Sequence, residues 1–273
     1  GLMLTLLLFE ESHGAVTPGT FRDAGGQVIH REFLPHSKEE TKKIELFWTK
    51  PEGSGAWPVV LFVHGHQIGQ RHGGEVYVHG GRLRRMVYRG YVAAAVSQPG
   101  YGNSDGPPDF CGPFTQDAVL RAIQFLRDKP FVHPNKVALY GVSRGAIVSA
   151  MVAAQDPRLA AVILVAGMYD LDKGYPTGLH GLDTNIAREA GISRQAFNVR
   201  SAVYHAEKIR APVLLLHGAS DDRFAPTQVE AFARQLMAHG VPVRIKIVSG
   251  AGHGIPIATQ YKEIYPFLLE HLR

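Results

Sequence analysis

Residues 136–154 read Lys-Val-Ala-Leu-Tyr-Gly-Val-Ser-Arg-Gly-Ala-Ile-Val-Ser-Ala-Met-Val-Ala-Ala, and this stretch decides the fold. Lys136–Tyr140 is an apolar run of strand length, and Ala146–Ala154 is a small-residue run of helix length. Between them sits Gly141-Val-Ser143-Arg-Gly145, a Gly-x-Ser-x-Gly turn. A strand ending in such a turn presents the serine at the top of a sheet. The helix that follows aims its free N-terminal amides at developing negative charge. Glycines flank Ser143 because so strained a turn has no room for neighbouring Cβ atoms. The pattern recurs at Gly102-Asn-Ser104-Asp-Gly106, but Pro99 and Gly100 precede it and Pro107-Pro108 follow, which is turn chemistry. Ser143 is therefore the candidate nucleophile; the competing reading is a tight strand-to-helix turn with an incidental serine.

Outward from this turn, strand and helix patterns alternate. Gln27–Leu34 and Thr41–Lys50 are extended, and Pro58–Val63, Tyr91–Val96, Ala161–Ala166, Val213–His217 and Val243–Val248 are apolar runs. Val76–Arg89 and Thr115–Asp128 carry the helical period. Continuous apolar strands separated by helices predict an α/β fold, its mostly parallel central sheet covered by helices on both faces. Residues 168–209 have few strand signals and helix-like pieces at 185–190 and 194–202, so they are expected to form a small cap-like insertion.

The chain has 273 residues, 45% of them hydrophobic and 19% charged, which excludes a disordered chain, a coiled coil or a collagen-like repeat. A single cysteine, Cys111, excludes an intramolecular disulfide framework. The net charge of +5 comes without any run of five basic residues. Its densest cluster, Arg82, Arg84, Arg85 and Arg89, reads as one solvated helix face, so no nucleic-acid partner is expected. The longest apolar run, Leu2–Phe9, is far shorter than the roughly 20 residues of a membrane span, and none is expected. It reads as a structured first element of a cytoplasmic protein, with the clipped leader of an exported one as the alternative. His64, His66, His72 and His79 fall close together, but Glu75 is the only nearby acid. They read as the mouth of the serine site, with no metal and no cofactor expected.

A serine hydroxyl needs a base, and the base needs an orienting carboxylate. After the run Val213–His217 comes Gly-Ala-Ser-Asp221-Asp222-Arg223, and after Val243–Val248 comes Ser249-Gly-Ala-Gly-His253-Gly. Both fall in loops that follow strands, in the order serine, acid, histidine. Asp221 is the preferred acid, Asp222 the fallback, and His253 the base. The oxyanion that forms in acyl transfer needs amide donors. The amide of Arg144, next to the nucleophile, and that of His66, in the His64-Gly65-His66 loop, are the candidates. His64, Tyr101, Phe110, Phe114, Met168 and Tyr169 are candidate substrate-binding residues, with core packing as their alternative.

With these residues placed, Pro58 to Arg273 resembles a serine α/β-hydrolase. Ser201-Ala-Val-Tyr-His-Ala-Glu-Lys-Ile-Arg-Ala-Pro-Val-Leu-Leu-Leu-His-Gly218 is similar to the approach to the acid strand in prolyl-oligopeptidase-type catalytic domains and in dienelactone-hydrolase-like esterases. Ser97-Gln-Pro-Gly-Tyr-Gly-Asn-Ser-Asp-Gly106 matches the family's loop after its next strand. The resemblance implies an α/β-hydrolase catalytic domain over residues 58–273, preceded by an extension over 1–57 that supplies edge strands. It also implies a triad of Ser143, Asp221 and His253. Three features depart from the pattern. About 57 residues precede the first core strand, too few for an oligopeptidase propeller. His64 stands where those enzymes usually carry a tyrosine, and Ser143 where dienelactone hydrolases carry cysteine. The expected activity is therefore a carboxylesterase acting on a small-molecule ester through an acyl-enzyme. A small peptidase or amidase, a lactone or thioester hydrolase, and a non-enzymatic hydrolase-fold scaffold are the alternatives.

Overall fold

The apolar runs pair side by side in one nine-stranded sheet. The computed structural model describes residues 16–273, so the Leu2–Phe9 run lies outside the described residues. The strands are β1 (Gly19–Arg22), β2 (Val28–Pro35), β3 (Lys43–Thr49), β4 (Trp57–Val63), β5 (Val92–Val96), β6 (Val132–Val142), β7 (Ala161–Val165), β8 (Val213–Gly218) and β9 (Val243–Val248). Their order across the sheet is β1-β2-β3-β5-β4-β6-β7-β8-β9. The first three are antiparallel neighbours, β3 runs antiparallel to β5, and β5 through β9 are parallel. This is the α/β architecture expected, with β5, β4 and β6 at its centre.

Alternation along the strands divides the core in two. Val59, Leu61 and Val63 of β4 join a cluster on one face, and Val60 and Phe62 join a cluster on the other. The first face is covered by α3 (Pro113–Arg127), α4 (Arg144–Ala153) and α8 (Thr227–Ala238). The second is covered by α1 (Glu75–His79), α2 (Arg82–Val87) and α9 (Ile257–Leu272). Between β7 and β8 the chain forms α5 (Leu171–Gly174), α6 (His180–Ala190), α7 (Arg194–Asn198) and a 3-10 helix over Ala202–Lys208. No helix of the described residues is long and apolar enough to cross a membrane.

The structure corrects two local readings. The pattern over Val76–Arg89 is two short helices, broken where Gly81 takes a left-handed conformation at φ 66°. Its arginines are not one solvated face. Arg82 donates to the hydroxyls of Tyr140 at 2.6 Å and Tyr261 at 3.1 Å, with its guanidinium over the rings of Phe62 and Tyr77. Arg84 pairs with Asp23 at 2.6 Å, and Arg89 lies over the ring of Tyr265. Arg85 is exposed, with its guanidinium 5.9 Å from the centre of the Tyr261 ring. The cluster ties α2 to β4, β6 and α9.

Candidate active site

Ser143 sits between the end of β6 and the start of α4, at φ 54° and ψ −118°. This region of backbone space strains any residue with a Cβ. The flanking glycines allow the turn: a Cβ on Gly141 would overlap the carbonyl of Gly145, and one on Gly145 would overlap the carbonyl of Val63. The Ser143 amide donates to Val165 O at the tip of β7, 2.7 Å away, and the hydroxyl is turned outward.

That hydroxyl lies 2.8 Å from His253 Nε2. His253 Nδ1 lies 3.0 and 3.1 Å from the two carboxylate oxygens of Asp221. With Nδ1–H donating to the carboxylate, Nε2 is left to accept from Ser143. Asp221 follows β8, and it accepts three further bonds: from the amides of Arg223 at 2.9 Å and Phe224 at 3.0 Å, and from His217 Nε2 at 3.2 Å. Burial alone would raise its pKa. The bonds from His217, His253 and the two amides outweigh burial and hold the carboxyl well below the usual carboxylate range. Asp222 is exposed and makes none of these contacts, so of the two adjacent acids the geometry selects Asp221. His217, four residues before the acid, is fully buried and also reaches the Phe224 carbonyl at 2.7 Å, bracing the acid loop.

The loop after β4 packs against the serine turn, so closely that a Cβ on Gly65 would stand 3.3 Å from Ser143 Cβ. Among the described residues, no protein acceptor takes the amide hydrogens of His66 or Arg144. Both remain available to an oxyanion. His64 is a brace and does not line the site. It is buried, its Nδ1 donates to Gly65 O at 2.8 Å, and its Nε2 accepts from the Gln98 amide at 3.0 Å. Burial pushes its pKa down to about 4, so it stays neutral in that role. Of the other two histidines, His72 and His79 flank Glu75 on and beside α1, at 3.9 and 3.7 Å. Among the described residues, no group of three histidine, cysteine or acidic side chains has the geometry to hold a metal ion.

A cleft of about 670 Å³ opens beside Ser143, lined by His66, Phe110, Ile147, Leu182 and Phe224 among others. Of the substrate-binding candidates, only Phe110 lines it. Tyr101 is fully buried behind His66, whose Nδ1 lies 2.7 Å from its hydroxyl. Phe114 stacks on His36, Tyr169 stacks on Phe232 in the core, and Met168 faces a separate pocket beside the acid loop. The missed lining residues had weak signals: Ile147 is one helical turn past Ser143, and Leu182 lies on the amphipathic α6.

The Arg144 side chain adds a feature that its position in the motif did not suggest. It is buried, its Nη2 donates to Glu189 of α6 at 2.7 Å, and its guanidinium lies over the rings of Tyr101 and Phe110. Glu189 also accepts the Phe110 amide at 3.0 Å. Phe110 and Cys111 both hold positive φ, at 42° and 63°. Arg200 secures this strained bend by donating to the Phe110 carbonyl at 2.9 Å. The cap segment, the loop before α3 and the serine turn are thus joined by one polar network.

A serine, an imidazole and a carboxylate hydrogen-bonded in that order, beside two free amides, can carry out acyl transfer. A model of the prolyl oligopeptidase family matches residues 112–273, a span that contains Ser143, Asp221 and His253. The chain belongs to that family. This prolyl oligopeptidase family member is 23% identical to dipeptidyl-peptidase 5 of Porphyromonas gingivalis over 85% of its own length and 33% of that relative's. It is 26% identical to the uncharacterized peptidase YtmA of Bacillus subtilis, over 64% of this chain and 70% of the other. The chain spans about a third of the length of the first of these curated relatives. Its fold is that of a puromycin-hydrolyzing peptidase of Mycobacterium tuberculosis, at TM-score 0.80 and 21% identity over 90% of this chain and 40% of that one. It is likewise the fold of an acetyl xylan esterase from Paenibacillus sp. R4, at TM-score 0.75 and 17% identity over 94% of this chain and 88% of that one. Prolyl oligopeptidase family membership and the α/β-hydrolase fold agree with the resemblance read from the sequence.

Proposed function

We propose that the chain is a serine peptidase or amidase that works through an acyl-enzyme on Ser143. The observation that carries the reading is the unbroken relay Ser143–His253–Asp221 at the mouth of an apolar cleft. Ser143 Oγ attacks the substrate carbonyl carbon as its proton passes to His253 Nε2. The carbonyl oxygen becomes an oxyanion held by the amides of His66 and Arg144, each such donor being worth about 3 kcal/mol in the transition state. Asp221 keeps His253 in the Nδ1–H tautomer and stabilises the imidazolium. As the intermediate collapses, His253 returns the proton to the departing amine nitrogen, and the carbon–nitrogen bond breaks. Water then attacks the acyl-enzyme with His253 again as base, releasing the acid and restoring Ser143.

The carboxylesterase expected from the sequence becomes the second reading. Amide cleavage is favoured because the family and the curated relatives named above are peptidases. Ester cleavage keeps support from the acetyl xylan esterase, 88% of whose length this chain matches. Matched N-acyl amino acid p-nitroanilides and p-nitrophenyl esters separate the two. The peptidase reading expects turnover of both, and Ser143→Ala should lower kcat by roughly 10⁶-fold on each. Turnover of the ester alone would leave the esterase reading.

A further inference from the structure

We propose that the His66 imidazole is a specificity-determining hydrogen-bond donor, held as its Nε2–H tautomer by Tyr101 so that it engages a carbonyl acceptor on the acyl part of the substrate. Acyl groups with an amide next to the scissile carbonyl are thereby selected over plain alkyl ones. The proposal rests on the acyl-enzyme reading above and narrows its substrate class.

The proton inventory fixes the tautomer. His66 Nδ1 and the Tyr101 hydroxyl lie 2.7 Å apart and share one hydrogen. Tyr101 is fully buried, and its hydroxyl has no other hydrogen-bond partner among the described residues. If Nδ1 carried the proton, the phenol hydrogen would be buried with nothing to accept it. The phenol must therefore donate, Nδ1 must accept, and the ring hydrogen falls on Nε2. Burial raises the Tyr101 pKa, which keeps the phenol a donor. Burial, aided by Arg144 and Arg71, lowers that of His66, which keeps the imidazole neutral.

The ring is also fixed in place. The guanidinium groups of Arg71 and Arg144 lie over the Tyr101 ring, at 5.0 and 5.2 Å from its centre, and Arg144 is itself tied to Glu189. His66 is half-buried and lines the cleft with Ser143, among Phe110, Ile147 and Leu182. A fixed N–H facing a largely apolar wall discriminates: a substrate acceptor meets it, whereas an alkyl chain strips its water and returns nothing. Of the other polar lining residues, His180, Thr184, Asp222 and Arg223 stand exposed and remain hydrated, and the half-buried Asn185 accepts from Arg188 through its Oδ1.

The test compares the p-nitrophenyl esters of N-acetyl-leucine and 4-methylpentanoic acid, which share the isobutyl group and differ in the acetamido group. Each kcat/KM is divided by that ester's own hydroxide-catalysed rate. Effects on the triad or on the oxyanion amides cancel in the ratio of the two. Wild type is expected to favour the acetamido ester by roughly tenfold or more. The ratio should collapse toward one in His66→Phe, recover in part in His66→Gln, and fall to an intermediate value in Tyr101→Phe. An unchanged ratio in His66→Phe, or no preference in wild type, overturns the proposal while the acyl-enzyme reading stands. Cleavage of neither ester overturns both. Nitrogen-15 histidine spectra of the wild type give an answer that needs no variant, since an Nδ1–H tautomer at His66 also overturns it.

Discussion

Asp221 is the residue on which the site's electrostatics converge, because donors from two histidines and two amides meet at one buried carboxylate. Asp221→Asn should keep the fold yet lower kcat by about 10⁴-fold, because the amide would favour the wrong His253 tautomer. The same carboxylate ties stability to pH. Its pKa is lower in the folded chain than in the unfolded one, so its contribution is fully present above the unfolded value of about 4 and is lost as pH falls below it. Urea titrations at successive pH values should show wild type losing its stability advantage over Asp221→Asn below about pH 4. The serine, the acid and the histidine were legible because each role demands one residue type at one place in the strand order. The cleft was not, because apolar residues that line a cavity look in sequence like apolar residues that fill a core. On that ambiguity Tyr169 and Met168 look in sequence like site residues, and Ile147 and Phe224 look like core.

At the scale of elements, the parallel strands could be read off as continuous apolar runs, since a strand buried on both faces has no polar positions. The amphipathic helices α8 and α9 pack on the sheet through the same kind of apolar stripe that marks α3 in the sequence. The joint between α6 and the serine turn has no such signal. Nothing in Gly-Val-Ser-Arg-Gly says that the arginine will find Glu189, forty-five residues away. Removing one partner of so buried a pair strands the other charge, at a cost on the order of 3–5 kcal/mol. Glu189→Leu should therefore lower the unfolding midpoint in urea by that equivalent. Replacing both residues, with Arg144→Met and Glu189→Leu, should recover much of the loss. If the double variant is no more stable than the single one, the penalty does not come from the stranded guanidinium.

Over the whole molecule, the two faces of the sheet are secured differently. The face under α3, α4 and α8 carries buried ion pairs made by α3 and α4, Arg127 with Asp156 and Arg144 with Glu189, whereas the face under α1, α2 and α9 is stitched by Arg82 to hydroxyls of β6 and α9. Arg82→Ala should cost about 2–3 kcal/mol, the sum of its charged hydrogen bonds and ring contacts. Calorimetry would measure this, with the cleft chemistry unaffected because Arg82 lies on the opposite side of the sheet from α4.

The backbone angles of Ser143 bear on the thermal limit of the entire chain. A conformation that only glycine adopts freely is held there by the surrounding structure, at about 1–3 kcal/mol. Ser143→Gly should abolish turnover and yet melt about 2–3 °C higher than wild type. Sequence changes selected for heat resistance alone would therefore drift toward glycine at this position, so a search for hardier variants has to be screened for turnover at every round.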